Sequence, residues 1–107
     1  MSSKEIYNIV KLVPKPGKFN EVAEAFKTLS KYVQENEPKT QIYFALQPQG
    51  PEEFVLVEKY TDSQNLKEHA ATTPFKQFAK AIGGLLAQAP EIKRAAFVAG
   101  FDGRAKL

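Results

Sequence analysis

The segment FVLVEKY, residues 54–60, narrows the choice of fold more than any other stretch of this chain. Val55 and Val57 alternate with Phe54, Leu56, Glu58 and Tyr60, so the strand is apolar on both faces at its start. A strand of that kind needs cover on both sides. The chain has 107 residues, enough for one domain, 1–107, with a single core spanning about 5–101.

The flanking segments show where the cover comes from. EIYNIVKLV (5–13) is rich in β-branched and aromatic residues and ends at PKPG, which predicts a strand. In 17–37, Phe19, Val22, Phe26, Leu29 and Val33 recur at steps of three and four, the apolar stripe of a helix. Strands are predicted over 40–48 and 52–60, joined by QPQGPE. Asp62 is placed to cap a short helix over 63–71. Thr73 as N-cap with Pro74 at the first helical position restarts it, and Phe75, Phe78, Ile82 and Leu85 form a second core stripe. The adjacent glycines 83 and 84 end that helix, and EIKRAAFVAGF (91–101) reads as the last strand. The order βαββαβ predicts an α+β, ferredoxin-like fold: a four-stranded antiparallel sheet with helices on one face. One layer of helices covers one face only. The other is expected to be covered by a second copy, giving a homodimer packed through the sheet face.

Composition excludes several function classes. There is no cysteine and only one histidine, so cysteine-rich zinc sites and multi-histidine cages within one chain are ruled out. The net charge is +3, but thirteen of the fifteen basic residues are lysines spread singly along the chain. Only Arg94 and Arg104 have the planar fork used in base readout, so no nucleic-acid partner is expected. No secretory leader and no bilayer-spanning apolar run are visible, so the expected setting is cytoplasmic, with no membrane partner.

His69, the lone histidine, falls on the apolar side of the 63–71 helix. It is either a base with a suitable unperturbed pKa or a buried imidazole that pins the helix to the sheet. Glu58 shares the inward face of its strand with Leu56 and Tyr60, and a carboxylate there needs a partner; His69 and Lys80 are the candidates.

The pieces KPGKFNEV, ENEPKTQIY and FVLVEKYTDSQNLKEHAATTPFKQF, in this order and at these spacings, resemble the antibiotic biosynthesis monooxygenase family, whose members form dimeric α+β barrels. The resemblance covers most of the chain and is closest to the small fungal branch, which ends in a similar GLL…PE stretch. It implies a cofactor-independent monooxygenase that oxidises a small hydrophobic or aromatic molecule, of quinol or anthrone type, with dioxygen. The alternative is a non-catalytic dimeric protein that binds such a molecule; a third possibility is a packed core with no cavity. His69 matches the family's helix histidine and Glu58 its strand glutamate, which implies catalysis by His69 with Glu58 orienting it. Tyr43 and Tyr60 would contact substrate, with Leu56, Leu66, Phe75, Phe78 and Ile82 lining the pocket. This chain departs from some relatives. Pro74 stands where some carry a second histidine, and Leu56 and Tyr60 stand where bacterial anthrone oxygenases carry asparagine and tryptophan. The position matching the haem-degrading histidine is Ala79, and there is no tryptophan, so haem degradation is not expected.

Overall fold

The computed structural model describes residues 4–104. The elements run β1 (Ile6–Leu12), α1 (Phe19–Asn36), β2 (Thr40–Leu46), β3 (Phe54–Tyr60), α2 (Ser63–Ala70), α3 (Thr73–Gly83) and β4 (Glu91–Ala95). The strands pair antiparallel in the order β2-β3-β1-β4, which is the ferredoxin-like arrangement expected, with the helices on one face. The sheet is open, so a single chain makes no barrel.

The α1 stripe is what holds the helix to the sheet. Val22, Phe26, Leu29 and Val33 are all buried, each contributing roughly 1.5–3 kcal/mol of apolar burial. At its start Phe19 stacks on Phe54, with ring centroids 4.3 Å apart. Gly17 supplies the left-handed φ of +80° in the turn before it. At its end Pro38 disfavours helical backbone in the residue before it. Glu37 accordingly leaves the helix at φ −123° and ψ 74°, its N–H still bonded to the Val33 carbonyl. That exit fixes where the Glu37 carboxylate can go.

Three local readings are corrected. The side chain that caps α3 is Thr72, whose hydroxyl accepts the Phe75 N–H at 3.3 Å; Thr73 is already helical. Leu86, not Leu85, completes the core stripe after Phe78 and Ile82. The last strand stops at Ala95 instead of 101. Its partner runs out there, because Tyr7 pairs with Ala95 and β1 begins one residue earlier, at Ile6. The Asp62 cap is as expected, accepting the Asn65 N–H at 2.8 Å.

Two irregularities shape the space between sheet and helices. A bulge at the start of β2 inserts Gln41 between Thr40, opposite Tyr60, and Ile42, opposite Lys59. One extra residue reverses the alternation, so Tyr43 and Ala45 face the helices while Phe44 and Leu46 face away. After α3 the chain does not enter β4 directly. It runs beside 13–15, with Lys15 N–H on the Leu85 carbonyl and Ala87 N–H on the Val13 carbonyl. This detour leaves β4 without helical cover, and Ile92 is 61% exposed. On the opposite face Ile9, Val57 and Phe44 lie side by side across three strands. Among the described residues no helix is long and apolar enough to cross a membrane.

Candidate active site

A chamber of about 600 Å³ opens between the sheet and helices α2 and α3. Its walls include Leu56, Leu66, Phe75, Phe78 and Ile82, as the sequence predicts. The packed-core alternative is thereby removed. Its floor is a single row of polar side chains crossing all four strands. Arg94 on β4 is opposite Asn8 on β1, Asn8 is opposite Glu58 on β3, and Glu58 is opposite Tyr43 on β2. The flanking row, Ile92, Val10, Leu56 and Ala45, is apolar. The polar floor row thus gathers at one end of a mainly apolar space, with Gln88 also on its wall, the usual layout of a small-molecule site.

The row is hydrogen-bonded within itself. Arg94 Nε donates to Asn8 Oδ1 at 2.7 Å, and Asn8 lies opposite Glu58, where its side chain favours the ionised carboxylate. The Tyr60 hydroxyl donates to Glu58 Oε1 at 2.7 Å. Tyr60 is completely buried. It stands behind the chamber wall and does not line it, contrary to expectation.

His69 meets the row at Tyr43. The Asp62 cap starts α2 so that Leu66 and His69 turn inward one helical step apart. The His69 ring is 2% exposed and packs against Tyr43, Tyr60 and Phe75. Its carboxylate partner is not Glu58. Nδ1 lies 2.8 Å from Glu37 Oε1, and Nε2 makes a longer contact, 3.3 Å, with the Tyr43 hydroxyl. Thr40 Oγ1 donates to the same Glu37 oxygen at 3.1 Å. A carboxylate accepts only, so Nδ1 carries the proton and the Nε2 lone pair faces Tyr43. Lys80, the other partner considered for Glu58, is exposed on α3. Sequence reasoning missed Glu37, Asn8 and Arg94. Asn8 alone had a local signal, as the polar member of the inward series Asn8, Val10, Leu12.

Electrostatics separates the roles. Burial first, then the charges of Glu58 and Glu37, hold the Tyr43 phenol well above its usual range. Tyr60 is raised in the same direction by burial and by Glu58. Both therefore remain phenols near neutral pH. Burial also raises Glu58, against the opposing pull of the Tyr60 hydroxyl, His69 and Asn8. Unfolded, Glu58 ionises near the ordinary glutamate value of 4.5, whereas the native carboxyl keeps its proton to higher pH. Between those values the native state binds more protons, so stability falls as pH rises. Glu58→Gln is expected to abolish that fall. Urea midpoints should coincide below 4.5 and favour the variant near neutrality; equal midpoints at both pH values would contradict a raised Glu58.

The chain is thus a small α+β domain with an amphipathic chamber under its helices and a carboxylate–imidazole–phenol chain at the chamber's polar end. The antibiotic biosynthesis monooxygenase family description matches residues 5–81, and the chain belongs to that family. A candidate antibiotic biosynthesis monooxygenase from Caulobacter crescentus is 28% identical and superposes with a TM-score of 0.85, over 91% of this chain and 92% of its own. A counterpart from Nitrosomonas europaea, 19% identical, has a TM-score of 0.85 over 92% and 94%. A Mycobacterium tuberculosis protein, 17% identical, gives 0.85 over 92% and 99%. The last two speak for the fold alone. No curated protein matches the chain in sequence.

Proposed function

We propose that this chain is a cofactor-independent monooxygenase acting on a small hydrophobic or aromatic molecule of quinol or anthrone type, and that it works as a homodimer joined through the open sheet face. The observation that carries the reading is the chamber itself, apolar except where Tyr43, backed by His69 and Glu37, reaches its polar end. The stretch GLLAQAPE, residues 84–91, supports a place near the small fungal members.

The residues supply deprotonation, orientation and dryness. A substrate hydroxyl gives its proton to the Tyr43 oxygen as the Tyr43 proton moves to His69 Nε2. The imidazolium so formed is stabilised by Glu37. The resulting oxyanion is electron-rich enough to pass one electron to dioxygen. The substrate radical and superoxide then join, forming a carbon–oxygen bond at a ring carbon that bears a hydrogen, and a proton returns to give the hydroperoxide. Loss of water leaves a carbonyl. Across the sequence the substrate gives up four electrons and two hydrogens, one from its hydroxyl and one from the reacting carbon, and dioxygen gains four electrons. One oxygen atom stays in the product and the other leaves as water. Leu56, Phe75, Phe78 and Ile82 exclude water from the oxyanion and hold the ring system.

Oxygen uptake with a panel of hydroquinones and anthrones tests the proposal. The expected result is one dioxygen consumed per substrate, with label from ¹⁸O₂ in the product carbonyl. Compounds that bind without oxygen uptake would instead support the non-catalytic binder.

A further inference from the structure

His69 is the shared wall of two cavities. One is the chamber; the other is a crevice of about 300 Å³, bordered by Asn36, Glu37, Lys39 and Glu68. Asn36, Lys39 and Glu68 are exposed, so the crevice opens to solvent. The two ring nitrogens divide between the two spaces. Nε2 contacts Tyr43, which lines the chamber and not the crevice, and Nδ1 contacts Glu37, which lines the crevice and not the chamber. Glu37 Oε1 is occupied by His69 and Thr40. Oε2 is buried and has no hydrogen-bond partner among the described residues.

We propose that Glu37 is the relay of a proton path that connects His69 to solvent through this crevice, so that the base exchanges its proton without water entering the chamber. After His69 takes the substrate proton at Nε2, the imidazolium passes the Nδ1 proton to Glu37, and Glu37 passes it to water in the crevice. When the peroxide is protonated the flow reverses: Nε2 gives its proton back by way of Tyr43, and Nδ1 regains one from Glu37. The cycle has no net proton gain or loss, matching the overall reaction. The other titratable or charged groups around the ring are Tyr32 on α1, Lys39 beside Glu37, Tyr43 on β2, Glu58 and Tyr60 on β3, and Glu68 on its own helix. α3 contributes only Phe75. None of these offers Nδ1 an acceptor besides Glu37. The catalytic use of the path rests on the oxygenase reading; the path itself does not.

The lone histidine makes the test direct, because its ring signals in ¹⁵N NMR need no assignment. The rate at which the Nδ1 proton exchanges with water is measured in the substrate-free protein and in three variants. Asn36→Trp narrows the crevice from an exposed position, and Ala79→Trp narrows the chamber from another. Asn36→Trp is expected to slow exchange about tenfold or more, whereas Ala79→Trp leaves it within about twofold. Glu37→Gln, whose amide cannot relay a proton, should slow it by about a hundredfold. Slowing by Ala79→Trp but not by Asn36→Trp, or no effect from either, would overturn the path. Both tryptophan variants lie at the surface, so the result stands even if Glu37→Gln fails to fold. A protein that shows this exchange pattern but consumes no oxygen would sink the oxygenase reading alone.

Discussion

His69→Asn is expected to lower oxygen consumption by about 10²–10⁴-fold, the usual range for removing a positioned general base. Asparagine is the informative replacement. Its amide reaches the region of Nδ1 and can still donate to Glu37, which would otherwise keep only the Thr40 hydroxyl. The variant therefore keeps the anchor of α2 and loses only the nitrogen that meets Tyr43. Far-ultraviolet circular dichroism and the urea midpoint should stay close to the parent while turnover collapses. Turnover that survives in a folded His69→Asn protein would remove the histidine from the mechanism. The base would then have to be sought in Glu58.

Val57→Asp is expected to weaken self-association by at least about a hundredfold, since it places a carboxylate in the middle of a face that association would desolvate. Val57 is flanked by Ile9 and Phe44 on the neighbouring strands, and Phe44 and Leu46 are 45% and 55% exposed in the single chain. That side of the sheet has no helix. Sedimentation or light scattering over a concentration series reads the result directly. The parent should run at twice the chain mass at micromolar concentration and the variant as a monomer. A monomeric parent would end the dimer proposal without touching the chamber, which lies on the opposite side.

Periodicity made most of this fold legible. The α1 stripe, the doubly apolar β3 and the capped break between α2 and α3 each state their geometry within a few neighbouring residues. The chamber walls followed, because inward positions of β3 and α3 can be read from alternation and helical spacing. The chemistry at the polar end could not be read that way. Glu37 in the run ENEP looks like any exposed charge at the end of a helix. Only the exit angle imposed by Pro38, together with the depth at which α2 docks, carries its carboxylate to His69. Glu58 was the natural partner by strand face, yet its carboxyl was already engaged by Tyr60 and Asn8. Arg94 joined the site through strand pairing across 86 positions of sequence, which no local pattern encodes. The run AAFVAGF reads as strand because it is apolar, but β1 offers it no further edge.

The bulge at Gln41 carries a lesson about how such chambers diversify. Which side chain of β2 enters the cavity is decided there by whether one residue is bulged out of the ladder. If Gln41 were paired in the ladder instead of bulged, plain alternation after Thr40 would bring Ile42 and Phe44 to the helix side and turn the Tyr43 hydroxyl out; deleting Gln41 together with the bulge leaves Tyr43 inward. Housing that one residue in the ladder or in a bulge can thus exchange a greasy surface for a proton-handling one while leaving every letter unchanged. Relatives compared letter by letter across this point can look alike at Tyr43 and still present different chemistry to the same space.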